Sequence, residues 1–153
     1  MGEYSDPMVI EASDFQKIKR ITSDGKVGNM IHVKMQGNNY IKFSCETKDL
    51  YTSKVKFGEL ITKEDVDEAE EVPGVYQANF YNSMFNLLVK LPGLCSQMQF
   101  FSPSIQGYPL KIQVSTGNIG VLQIYLKDID QLNLEEEKQK YEKPEHWSST
   151  KNI

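Results

Sequence analysis

Two histidines and two cysteines are the first candidates for chemistry in this chain of 153 residues. A cysteine nucleophile needs a base within hydrogen-bond reach. His32 falls in a segment that alternates like a strand and His146 in a polar terminal stretch, so neither is placed beside Cys45 or Cys95. The cysteines form no CxxC pair, which argues for buried or half-buried free thiols in a reducing compartment rather than a zinc site or disulfide framework. Carboxylates cluster in Glu64-Asp65, Asp67-Glu68 and Glu70-Glu71, a density that reads as solvated charge rather than a tuned acid–base pair. Ser23-Asp24-Gly25-Lys26 lacks the glycine spacing of a phosphate loop, and no dinucleotide fingerprint occurs. The sequence therefore predicts no catalytic residue, no metal site and no cofactor.

Charge is segregated along the chain. The net charge is −4, yet no Asp or Glu occurs from Val72 through Lys127; the acids gather in the run before it and in Glu135-Glu136-Glu137. Bulk attraction to nucleic acid is excluded by the sign of the total, so local distribution decides. At helical spacing Lys17 and Arg20 share a face with Ser13, with Lys19 beside them, and Asn82, Asn86 and Lys90 recur every four residues. These faces are either ordinary solvated surface or surfaces turned toward a polyanion.

The elements that carry these residues occur twice in one order: strand, helix, strand, strand, strand. The first pass predicts strands at Met8–Ala12, Met30–Met35, Tyr40–Glu46 and Tyr51–Phe57, with a helix over Ser13–Ser23 opened by Ser13 or Asp14. The second predicts strands at Val75–Phe80, Ser96–Ser102, Tyr108–Ser115 and Ile119–Lys127, with a helix over Tyr81–Leu91 stopped by Pro92-Gly93. Ile31, Val33 and Met35 alternate with His32 and Lys34, and Leu110, Ile112 and Val114 with Lys111 and Gln113, so one face is buried and the other wet. Gly37-Asn38-Asn39 and Gly117-Asn118 supply the positive φ of tight hairpins. Phe15, Ile18 and Ile21, then Phe85, Leu88 and Leu91, mark short apolar helix stripes that depend on packing. The fold class is α+β: two βαβββ repeats, about 8–57 and 75–127, joined by an acidic loop 58–74, with antiparallel sheets on one side and two helices on the other.

One domain, residues 1–130, is expected at this length, followed by a mixed-charge tail 131–153 that reads as disordered or a loosely held helix. Trp147 in that tail is either a partner anchor or incidental. No apolar stretch approaches a membrane span, and Met1-Gly2-Glu3-Tyr4 lacks the regions of a signal peptide, so a soluble intracellular chain without membrane partners is expected. Asp6 stands where a myristoylation motif wants Ser or Thr.

Ser13-Asp14-Phe15-Gln16-Lys17-Ile18-Lys19-Arg20, with the hairpin Ile31-His32-Val33-Lys34 and Tyr40-Ile41-Lys42-Phe43-Ser44, resembles the opening of the carboxy-terminal domain of sliding clamps of the proliferating cell nuclear antigen type. The acidic run before Val75 sits where that domain has its acidic loop. Tyr108-Pro109-Leu110-Lys111-Ile112 and Leu122-Gln123-Ile124-Tyr125-Leu126 resemble the family's P-L-V-V-E-Y and L-K-Y-Y-L-A-P strands. The likeness runs from about Glu3 to Asp130.

The resemblance implies a non-catalytic processivity factor domain that encircles duplex DNA and docks DNA polymerase and other replication or repair proteins. Lys17, Lys19, Arg20, Asn86 and Lys90 would face the phosphates, weakly and without reading sequence. Pro109 and Tyr125 match the groove that takes partner peptides; Lys127 and Asp128 replace a small residue and a proline at its rim. Ser53, Lys54, Val55 and Lys56 fall on the strand that pairs across the subunit boundary. Such clamps carry two domains per subunit, so this chain reads as an excised domain, a monomer or weak oligomer that belongs to a ring when full-length; the other reading is a divergent single-domain clamp. Localisation would be nuclear, or a cytoplasmic viral factory. A clamp-like protein scaffold without DNA encirclement and a small-molecule-binding antiparallel barrel are the other readings.

Overall fold

The structure, a computed structural model, describes residues 2–18, 30–47, 51–90, 93, 95–117 and 120–139. Its strands are β1 (Met8–Glu11), β2 (Met30–Gln36), β3 (Tyr40–Thr47), β4 (Tyr51–Gly58), β5 (Tyr76–Tyr81), β6 (Gln97–Phe101), β7 (Leu110–Ser115) and β8 (Val121–Leu126). Each lies within two residues of the bounds that alternation predicts. Helix α1 (Ala12–Phe15) runs into a 3₁₀ turn at Gln16–Ile18, and α2 spans Asn82–Leu88. Residues 129–139 are also helical.

The helix ends differ from expectation. α1 opens at Ala12 behind an extended Glu11 that makes no side-chain cap, so neither Ser13 nor Asp14 opens it. α2 closes at Leu88 rather than Leu91, its last turn tightened by the Lys90 N–H donating to the Leu87 carbonyl at 3.3 Å. Tightening of this kind satisfies terminal carbonyls as a helix runs out. The expected stretch of the first helix beyond Ile18 lies outside the described residues.

Two antiparallel sheets of four strands form, in the orders β1-β6-β7-β8 and β4-β3-β2-β5. Each holds the last three strands of one repeat and the first strand of the other. Ile10 is opposite Met98 in one exchange and Val33 opposite Ala78 in the other. The β2–β3 turn uses Gly37 at φ 52°, with the Asn39 N–H donating to the Gln36 carbonyl at 3.0 Å.

The inner faces of both sheets meet around phenylalanines. Phe43 of β3 and Phe100 of β6 stand 5.7 Å apart between ring centroids, Phe15 of α1 touches both, and Phe85 of α2 packs on Phe43 and Phe80. Both helices thus lie on the core side of the sheets. These rings are all 0% exposed, and edge-to-face contact adds about 1 kcal/mol per pair beyond burial. The space between the sheets is filled, which counts against a barrel with an apolar cavity at its centre. Among the described residues no helix is long and apolar enough to cross a membrane.

One polar side chain is fully buried in this core margin. The Gln36 amide donates to the carbonyls of Ile61 and Pro73, both at 3.0 Å, and its oxygen accepts from the Ile61 N–H at 2.7 Å. It therefore ties both ends of the acidic loop to the end of β2.

Candidate nucleic-acid and partner interfaces

The helix face is positioned by the phenylalanines beneath it. Because Phe15 and Phe85 point inward, Lys17, Asn86 and Lys90 are turned outward and are exposed. Lys17 is paired with Asp14 at 3.2 Å one turn earlier, which offsets the positive charge that it offers. Lys90 lies just past the end of α2, and no carboxylate among the described residues is within ion-pair distance of it. Lys19 and Arg20 lie outside the described residues. Asn82 does not share the polar face: it is buried, on the same side of α2 as Phe85. The spacing of four that grouped it with Asn86 starts one residue too early, where the strand hands over to the helix.

Around Pro109 three tyrosines converge. The Tyr4 hydroxyl donates to the Pro109 carbonyl at 2.9 Å, and its ring lies 6.4 Å from Tyr108 and 6.5 Å from Tyr125. Burial, then the neighbouring Tyr125, Glu3 and Tyr108, push the Tyr4 hydroxyl above its usual range. The Lys111 ammonium sits 4.8 Å from the Phe101 ring and 5.7 Å from that of Tyr4, close enough for cation–π attraction. Tyr4 is held there because the amino-terminal segment extends the sheet edge: Ser5 N–H donates to the Ser102 carbonyl at 2.9 Å and Ser104 N–H to the Glu3 carbonyl at 2.7 Å. Tyr125 remains about half exposed. Pro109 and Tyr125 thus both meet Tyr4, a residue the sequence did not mark, since a lone tyrosine four residues ahead of a strand carries no periodic signal.

Lys127 turns to a residue of its own chain. It is ion-paired with Glu135 of the carboxy-terminal helix. That helix begins with a reciprocal cap, in which Gln131 N–H donates to Asp128 Oδ1 at 2.8 Å and Asp128 N–H to Gln131 Oε1 at 2.9 Å. An Asp followed three residues later by Gln is a recognisable start signal, and it could have marked residues 129–139 as helical. The Gln131 amide also holds the Gly107 carbonyl. The tail beyond 139, with Trp147 and His146, lies outside the described residues.

Between this helix and the loops 73–77 and 102–108 opens a cleft of about 850 Å³, walled by Pro73, Val75, Pro103, Ile105, Tyr108 and Leu134 with Asp128 and Asp130 at its side. Pro109, Tyr125 and Lys127 are not among its lining residues. Tyr76 forms part of the wall; its hydroxyl is buried without a hydrogen-bond partner among the described residues. Burial, and then the nearby Asp128 and Tyr4, drive its ionisation well above the ordinary tyrosine range.

β4 is the outer strand of its sheet, as an intersubunit edge requires. Ser53 and Val55 are half-buried and Lys54 and Lys56 exposed, in the expected alternation. β8 forms an edge of the other sheet and exposes Val121, Leu122 and Tyr125, a second unpaired edge with apolar side chains. Among the described residues no three His, Cys, Asp or Glu side chains group as metal ligands. Compared with family models and with curated proteins, the chain matches none.

Proposed function

We propose that this chain is a sliding-clamp domain: a non-catalytic processivity factor that helps to encircle duplex DNA and docks replication and repair enzymes in the nucleus or a viral factory. The observation that carries the reading is the exchange of first strands between two βαβββ repeats with both helices against the inner faces of the sheets. In a ring, the outward faces of the two helices would meet one partner and the sheets' backs would face solvent. A rod of phosphates is the partner that Lys17, Lys19, Arg20 and Lys90 would serve, each neutralised phosphate contributing about 0.9 to the salt slope. Weak contact suits a protein that slides, since encirclement supplies the retention. Polymerase peptides would dock at Tyr4, Pro109 and Tyr125, where aromatic anchors dominate binding. The edges β4 and β8 would continue the sheets into neighbouring domains of a ring, leaving the isolated chain a monomer or weak oligomer.

One observation favours a second reading, a clamp-like scaffold that binds proteins only: the Lys17–Asp14 pair weakens the described cationic face. Residue-resolved NMR shift mapping with a short duplex at low and moderate salt separates the two. Salt-sensitive shifts at Lys17, Asn86 and Lys90 are expected; their absence would leave the scaffold.

A further inference from the structure

The back of the β4-β3-β2-β5 sheet carries a charge pattern that the helix-side reading does not use. Lys34 of β2 is directly opposite Lys42 of β3, and Lys42 is directly opposite Lys56 of β4. Lys54 stands two residues from Lys56 on the same face, opposite Ser44. His32, Gln77 and Asn79 complete the face, the imidazole held between the Asn79 and Gln77 side-chain oxygens at 3.0 Å each. The opposite parity on these strands, Ile31, Val33, Met35, Ile41, Phe43 and Ala78, is the core.

Like charges directly across a sheet oppose folding. Among the described residues none of the four lysines has a carboxylate within ion-pair distance; the one acid at a position of matching parity on β3, Glu46, is opposite Thr52, diagonal to Lys54 and removed from Lys34, Lys42 and Lys56. Four such cations on a chain of net charge −4 form a local feature whose repulsion a polyanion would relieve.

We propose that this sheet face is a docking surface for single-stranded nucleic acid, separate from the helix face and independent of the clamp reading. Strands about 4.8 Å apart and a repeat of about 6.8 Å along each strand make the lysines a two-dimensional lattice roughly 10 by 7 Å. A flexible strand can turn to bring successive phosphates over all four ammonium groups. A duplex holds its phosphates at fixed spacing on two stiff lines across a groove, so it adapts to the lattice less well. All four cations are lysine, which meets phosphate as a point charge on a flexible stem and so tolerates the varied approach angles of a single strand. Gln77, Asn79 and Ser44 lie beside the lattice and bring further hydrogen-bonding groups to the face, while both ring nitrogens of His32 are taken up by Asn79 and Gln77. Tyr81, the last residue of β5, shares the parity of Gln77 and Asn79 and is partly exposed, and a ring can stack on any base, so binding should be tolerant of sequence.

The test is fluorescence anisotropy of the whole chain with a labelled oligo(dT) 12-mer and with a 12-base-pair duplex, from low to physiological salt. Lys42→Gln with Lys56→Gln should lower the log–log salt slope for oligo(dT) by about 1.4, at about 0.7 per contact on a single strand, and leave duplex binding unchanged. Lys17→Gln with Lys90→Gln should leave oligo(dT) binding unchanged, whether or not it affects the duplex, so this inference and the clamp reading fail separately. Lys42→Arg with Lys56→Arg should retain the wild-type slope, and thermal unfolding of each variant verifies that it is folded. The proposal is overturned if oligo(dT) does not bind, if the sheet variant keeps the wild-type slope, or if it loses duplex binding equally. Displacement of oligo(dT) by an equal charge of polyglutamate would overturn it too, in favour of an acidic protein partner.

Discussion

Replacing Gln36 tests how the acidic loop and the cleft wall are held. Its side chain makes three hydrogen bonds, to the Ile61 N–H at 2.7 Å and to the Ile61 and Pro73 carbonyls at 3.0 Å, while itself 0% exposed. Gln36→Leu keeps most of the volume and removes all three. At about 1 kcal/mol net for each bond the loss is about 3 kcal/mol. Stranding the partners in a dry site would cost more, but Pro73 and the acids around Ile61 are exposed, so the loop can swing out and rehydrate. The loss should therefore stay near the lower figure, a fall in Tm of about 6–12 °C for a chain of this size. Thermal unfolding gives the total, and hydrogen exchange at the Ile61 amide gives the locality: protection there should vanish while the amides of β2 and β3 keep theirs. A variant within about 0.5 kcal/mol of wild type, or an Ile61 amide still protected, would refute the view that this side chain staples the loop.

Four other substitutions probe separate features. Lys42→Gln removes one cation and with it two like-charge oppositions, to Lys34 and to Lys56, and should raise stability by roughly 0.5–1 kcal/mol in low salt, a gain that shrinks in 1 M salt; denaturant melts at both salts check it, and a salt-independent loss would contradict it. Gly58→Ala places a Cβ 2.0 Å from the Asn39 carbonyl oxygen at a φ of 78°, so it should cost well over about 1 kcal/mol in a urea melt. Tyr76→Phe deletes a buried hydroxyl without a partner among the described residues and should stabilise by about 1 kcal/mol. It should also flatten the alkaline decline: because the folded-state ionisation is raised, the wild-type contribution is complete below about pH 10 and is lost as pH rises through the folded value. A Tyr76→Phe loss of stability would mean that the hydroxyl is satisfied. Gln131→Ala removes a reciprocal cap and the tie to Gly107 and should cost about 1 kcal/mol, with circular dichroism reporting lost helix.

Much of the fold could be read from residue order because most strands alternate, β7 cleanly and β8, exposed along most of its length, least. Ile31, Val33 and Met35 against His32 and Lys34 define a buried face whatever lies across from it, and strand bounds follow from where that alternation breaks. The helices were less legible. α1 is four residues long, too short for a stripe to declare its start, and its apolar anchors Phe15 and Ile18 are shared between an α turn and a 3₁₀ turn. The buried Asn82 is a related miss: spacing fixes which residues share a face, but the origin of the count depends on where the strand ends. Tyr4 and the Gln36 staple were invisible because each acts on backbone groups distant in sequence, which no local pattern encodes.

The strand exchange is the deeper case. Alternation tells which face of β1 is buried but not which strand lies beside it, and sequence neighbours usually pair. Here β1 pairs with β6 and β5 with β2, so each sheet's first strand is supplied across a long stretch of chain. Neither repeat can complete a sheet alone, and Phe43 of one half is buried only when Phe100 of the other arrives. Closing such distant contacts is entropically slow, which makes the two halves one cooperative unit rather than two tandem modules. The same exchange fixes the molecule's outward faces. Because the inner faces of both sheets and both helix stripes are consumed by one phenylalanine core, what remains for partners is the helix surface, the outer strands, the backs of the sheets and the cleft beside the carboxy-terminal helix.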